Sequence, residues 1–199
     1  MEPPVALVDD LKYGQTPLDP DEAAGLKPGH ISTQGELDEW EAENLLKARQ
    51  WLNRYKKQDA LSEGFCRELH KRMFSDTWKW AGKFRRTEKN IGCEPTQIAL
   101  KLHQLLGNVI WWVENDTFPL DEIAARFHRE LVWIHLFPNG NGRHARYMAD
   151  VLLKQCGRPE FTWGRASLAA ASEVRLRYIE ALRAADQGDY AALLVFVRS

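Results

Sequence analysis

Along most of this chain apolar residues recur at intervals of three and four, the spacing that gives a helix one buried face. Ile98, Leu102, Leu105, Leu106, Val109, Ile110 and Val113 form the cleanest stripe. Leu61, Phe65, Leu69 and Met73 fall four apart and predict a helix over about 60–75. Ile123, Phe127 and Leu131 predict another, from Asp121 as its cap to Ile134. A helix should begin near Arg143 and continue through Met148, Val151 and Leu152 to Gly157, where Arg158 and Pro159 stop it. Two further helical stretches, roughly 167–187 and 189–197, close the chain. Towards the front, Thr33 and Glu36 have capping-box spacing, and Leu37, Trp40, Leu45, Ala48 and Leu52 follow at helical intervals.

Two segments break this rhythm. Residues 1–31 contain Pro3, Pro4, Pro17, Pro20 and Pro28 without apolar period, and read as an irregular arm. Between Trp78 and Thr96, Gly82, Gly92 and Pro95 punctuate a stretch that mixes Phe84, Thr87 and Ile91 with charges. It predicts a small β-hairpin flap over about 83–97. The expected fold is mainly α. An arm at 1–31 leads to an N-terminal helix within 32–58, packed on a helical domain at 59–199.

Charge sharpens the division. The net charge is −1, but residues 1–45 hold 11 acids and two bases, so the remainder is strongly basic. Residues 67–89 alone carry Arg67, Lys71, Arg72, Lys79, Lys83, Arg85, Arg86 and Lys89. Such a body suits an anionic ligand, and an acidic leading segment can fold back onto it. Cys66, Cys93 and Cys156 have neither zinc-site nor CxxC spacing, which suits a reducing compartment. No apolar run is long enough to span a membrane, and MEPPVALVDD lacks the basic start and apolar stretch of an export signal, so a cytoplasmic setting is expected.

The chemistry concentrates in His135-Leu-Phe-Pro-Asn-Gly-Asn-Gly-Arg-His-Ala-Arg146. Gly140, Asn141 and Gly142 directly before a helix supply exposed backbone N–H groups, a ready site for phosphate. Arg143 and Arg146, three apart, can both reach the same anion. His135, at the other end of the loop, is its near-neutral base. Taken alone, a Gly-Asn-Gly turn also fits a plain helix-to-helix connection with solvated arginines.

The whole segment resembles the motif of the Fic (Fic/Doc) family, His-x-Phe-x-acid-Gly-Asn-Gly-Arg-x-x-Arg, matching it at His135, Phe137, Gly140, Asn141, Gly142, Arg143 and Arg146. Trp80-Ala-Gly-Lys83 before the flap is similar to the corresponding stretch of Fic proteins, and the resemblance covers about residues 60–197. Residues 16–41 look like the front of a bacterial Fic subgroup, mobile mystery protein B, which tends to be encoded beside a helix-turn-helix partner in mobile elements.

The resemblance implies a Fic-type helical domain acting as a protein adenylyltransferase, which moves AMP from ATP, with Mg²⁺, to a Ser, Thr or Tyr hydroxyl of a target protein. His135 would be the general base and Phe137 a buried anchor. Gly140, Asn141 and Gly142 would cradle phosphates, with Arg143 and Arg146 neutralising them. The flap, at Lys89, Asn90, Ile91 and Gly92, would hold target backbone by strand addition.

One position departs from the motif: Asn139 stands where the family has a metal-binding acid, and an Asn carbonyl brings no charge to the metal. Many Fic proteins are restrained by a glutamate that pairs with the second motif arginine. Glu36 and Glu43 are the candidates here, although neither sits in the full inhibitory pattern and Glu36 also suits a helix cap.

Four other readings compete. Asn139 favours a module that binds nucleotide without turnover, or a relative that transfers or removes another phosphate-containing group. The bases at 67–89 raise nucleic-acid binding, but no reader motif accompanies them. His128, His135 and His144 raise a metal hydrolase, without the carboxylates such a site needs.

Overall fold

The computed structural model describes residues 19–57, 59–164 and 173–199. Residues 1–18 of the arm, and 167–172 at the start of the helical stretch expected near 167–187, lie outside the described residues.

The described chain is mainly α. A one-turn α1 (Pro20–Ala23) precedes α2 (Gln34–Arg54), α3 (Glu63–Phe74), a 3₁₀ turn (Pro95–Gln97), α4 (Ile98–Glu114), α5 (Leu120–Ile134), α6 (Asn141–Gln155), α7 (Glu173–Asp186) and α8 (Ala191–Arg198). α2 starts where the capping box places it: the Thr33 side chain accepts from the Glu36 amide at 3.3 Å, and the Glu36 carboxylate accepts from the Thr33 amide at 3.0 Å. α5 begins at Leu120 after Pro119, and Asp121 is not its cap. Asp121 instead receives the Arg198 guanidinium at 2.6 and 2.8 Å, tying α8 to the start of α5.

α5 is the central element, packed against α4, α6 and α8, while α2 lies on α3 and α3 on α6. Phe65, Leu69 and Met73 of α3, Phe127 and Leu131 of α5, and Met148 and Leu152 of α6 meet in the core. Burying each such side chain contributes roughly 1.5–3 kcal/mol.

The hairpin expected over 83–97 is not formed. Its residues run through bends and the 3₁₀ turn, and the one β-bridge among the described residues joins Leu26 to Trp78 instead. The physical reason is Arg85, which is 3% exposed. Its Nη1 donates to the Thr87 carbonyl at 2.9 Å and its Nη2 to the Cys93 carbonyl, so a side chain closes the segment that a ladder would otherwise close.

The acidic leading segment does fold back, as far as it is described. Lys89, with a side chain only 2% exposed, pairs with Asp19 at 2.8 Å and with Glu22. Glu22 also accepts from the Thr87 hydroxyl at 3.0 Å, and its carbonyl takes the Trp80 indole N–H at 2.9 Å.

Candidate active site

α5 ends at Ile134, and His135 turns the chain with φ 58° and ψ 64°, a left-handed corner that side chains with a Cβ rarely occupy. The corner sends residues 136–140 back across α3 to the start of α6. Phe137 is fully buried and stacks on the His70 ring at 3.7 Å between centroids, which anchors the loop's middle. Asn141 closes the loop by accepting from the Phe137 amide at 2.9 Å and donating to its carbonyl at 2.7 Å.

His70 adds a second tie. Its Nδ1 accepts the Gly82 amide at 3.0 Å, which leaves Nε2 as the donor to the Asn139 carbonyl at 3.1 Å. Gly140 has φ 78°, and a Cβ there would lie 2.5 Å from Phe74 Cζ, so both backbone and space require glycine. Gly142 differs. A Cβ there would meet nothing nearer than the Tyr178 hydroxyl at 4.0 Å, so its missing side chain leaves space open in front of α6.

No side chain caps α6. The first-turn amides of Asn141, Gly142 and Arg143 therefore present the partial positive charge of a helix start. The Gly140 amide is not part of that set, because the Asn139 side-chain oxygen takes it at 2.5 Å. The Asn141 side chain is likewise spent on the loop, leaving its backbone N–H for a ligand.

The two arginines diverge. Arg146 lies over the Tyr178 ring at 5.9 Å and makes no ion pair among the described residues. Burial lowers its pKa, and the neighbouring Arg143 charge adds to the shift. Arg143 is engaged, donating to Glu41 at 2.6 Å, while the other Glu41 oxygen accepts from the Trp78 indole at 2.7 Å. Glu41 is 6% exposed. Glu36 is held in its cap and Glu43 bonds Lys47 at 3.2 Å, so neither glutamate singled out by spacing reaches the loop. Spacing along α2 missed Glu41 because its partner lies 102 residues away.

Above the loop, the Arg85 amide donates to the Leu136 carbonyl at 3.0 Å, and its guanidinium Nε donates to the His135 carbonyl at 2.6 Å. In the sequence Arg85 is one base among eight in residues 67–89, and no local spacing distinguishes it. Gly92 lies so close that a Cβ there would sit 2.7 Å from the His135 Cβ. Asn90 and Ile91 are exposed, and Lys89 is held by the arm.

His135 is 4% exposed, and burial pushes its pKa down to about 4, with the Arg85 charge acting in the same direction. The ring is therefore neutral at pH 7, the form that accepts a proton.

The rival clusters do not assemble. His128 Nε2 bonds the Tyr178 hydroxyl at 2.9 Å and His144 Nε2 the Cys66 carbonyl at 2.9 Å, and no group of three metal-ligating side chains forms among the described residues. Of the basic run, Arg67 and Arg72 pair with Glu63 and Glu68, and Trp78 is buried. No helix among the described residues is long and apolar enough to cross a membrane.

Residues 60–153 match the Fic/DOC family, and the chain carries a Fic/DOC family domain. The protein adenylyltransferase fic-1 of Caenorhabditis elegans is 31% identical over 147 residues, 72% of this chain and 27% of that protein. The fic-1 of Caenorhabditis briggsae is 33% identical over 135 residues, 66% of this chain and 25% of that protein. The chain thus spans about a quarter of the length of these relatives. Among solved structures, the BepC effector of Bartonella tribocorum with bound AMPPNP superposes with a TM-score of 0.67 at 19% identity, covering 89% of this chain and 95% of that one. At that identity the likeness establishes the fold.

Proposed function

We propose that this domain is a protein adenylyltransferase whose loop between α5 and α6 carries the chemistry. The observation that carries the reading is the uncapped start of α6 beside Arg146, a cation without an ion-pair partner among the described residues. Amides and guanidinium there suit the phosphates of ATP. The adenylyltransferase names of the fic-1 relatives and the AMPPNP held by BepC support the nucleotide.

In this reading the neutral His135 takes the proton of a Ser, Thr or Tyr hydroxyl. The hydroxyl oxygen bonds to the α-phosphorus, the bond to the β-phosphate oxygen breaks, and pyrophosphate leaves. Charge gathering on the phosphates meets Arg146 and the amides of 141–143, and an anion near His135 raises its proton affinity as the proton moves. The exposed backbone at Asn90, Ile91 and Gly92 offers an edge to an extended target.

The donor set does not make a magnesium site by itself. Asn139 brings one uncharged oxygen, already bonded to the Gly140 amide, where a hard cation prefers carboxylates. Magnesium is accordingly assigned to the incoming nucleotide, and no step depends on a protein-held ion.

Glu41 engages Arg143, the first motif arginine, so the restraint expected on Arg146 is not made by Glu36, Glu43 or Glu41, and in this reading Glu41 restrains Arg143 instead. The finer assignment to the mobile mystery protein B subgroup, with a bacterial cytoplasmic setting and a helix-turn-helix partner, rests on residues 16–41. Co-purification with such a partner tests it.

The central test is label transfer from α-labelled ATP to protein. His135→Ala should reduce it about 100-fold or more, and Asn139→Asp should lower the magnesium concentration required. Label retained at the wild-type rate in His135→Ala would remove the assigned base. Nucleotide bound by wild type with no label transferred to any protein would favour the binding module.

A further inference from the structure

A cavity of about 220 Å³ lies away from the loop, between the C-terminal turns of α2 and α6. Lys56, Lys57 and Lys154 line it, and none of these lysines has an ion-pair partner among the described residues. Arg49 and Glu160 also line it and are committed to each other at 3.0 Å. The three exposed lysines leave the rim with an excess of positive charge, which suits an anion.

The opposite wall has different chemistry. Asp150 lines the cavity from α6 and is braced by the Trp163 indole N–H, 3.1 Å from each carboxyl oxygen, and by the Phe161 amide at 3.1 Å. Burial raises its pKa to about 7, so it is a carboxyl that can donate as well as accept near neutrality. Leu52 and Val151 add apolar surface. At this volume the cavity falls below the roughly 300–1,000 Å³ of drug-sized sites, which limits the occupant to a small molecule.

We infer that this cavity is a second ligand site, taking a small phosphorylated polyol such as a sugar phosphate, with its phosphate on Lys56, Lys57 and Lys154 and a hydroxyl on Asp150. The lysines select the anion and Asp150 fixes its other end. This site shares no residue with the loop, so the inference stands apart from the adenylyltransferase reading.

Calorimetric titration with ribose 5-phosphate, inorganic phosphate and ribose tests it. Ribose 5-phosphate should bind saturably, with inorganic phosphate about tenfold weaker and ribose showing no binding. The double variant K56Q/K154Q should lose about tenfold or more of the ribose 5-phosphate affinity while melting as wild type does. Gly142→Ala, which alters the other anion site without reaching this cavity, should leave it unchanged. Absence of saturable binding, affinity unaffected by K56Q/K154Q, or affinity lost in Gly142→Ala would each overturn the site. Equal binding of inorganic phosphate would overturn the role of Asp150.

Discussion

The loop at 135–140 and the flap segment at 83–94 are both irregular, lie against each other, and are held by opposite kinds of chemistry. The loop rests on uncharged groups: the Asn141 amide on Phe137, and a neutral His70 between Gly82 and Asn139. The flap rests on cations, chiefly Arg85, whose nitrogens reach the carbonyls of Thr87, Cys93 and His135, with Lys89 paired to Asp19 and Glu22. One set of ties depends on an imidazole remaining unprotonated, and the other on a guanidinium that stays charged at any ordinary pH.

Acid should expose that difference most strongly. Burial lowers the pKa of His70 well below its ordinary value, and moves His135 and His144 to about 4 and His128 to about 3. A base whose folded pKa is depressed contributes stability above its unfolded value near 6.5, which is lost as pH falls through the folded value. Denaturant titrations should therefore show stability dropping by several kcal/mol between pH 6.5 and about 4. Asp150, raised to about 7, acts in the opposite sense, favouring the fold as pH falls through that value, but as a single group. A flat profile below pH 6.5 would break the contrast.

Removing the cation tests the other side. Arg85→Met should lower stability by about 4 kcal/mol in chemical denaturation, because several buried carbonyls lose their donor together. Arg85→Lys should recover little, since an ammonium cannot reproduce the fork.

The two glycines of the loop sharpen the comparison further. Gly140→Ala should cost about 2–3 kcal/mol, from the left-handed backbone and the collision with Phe74. Gly142→Ala should leave the melting temperature nearly unchanged yet weaken ATP binding about tenfold, because its methyl enters the open space before the α6 amides. Smallest of all, Glu41→Gln should keep an acceptor for Trp78 while freeing Arg143, raising ATP affinity a few-fold in the same titration.

How far the sequence spoke follows from the range of each interaction. α4, α5 and α6 were legible because their stripes and stops are local, and the expected start of α6 near Arg143 misses the observed Asn141 only because glycine was read as loop. The His135–Arg146 segment was legible because turn chemistry and helix spacing occupy 12 consecutive residues. The flap was misread as a hairpin because Arg85 spans 50 positions to reach His135. Glu41 and His70 stayed hidden for the same reason: their partners are distant in the chain, and a buried glutamate and a buried histidine look ordinary in sequence.

The corner at His135 has one more implication. A left-handed residue carrying a Cβ gives up about 1–2 kcal/mol relative to glycine. If durability were the only pressure, mutation would drift this vertex towards glycine or asparagine, which tolerate such a bend. On the proposed reading, an imidazole kept at so uncomfortable a bend is sturdiness given up to hold a proton acceptor there.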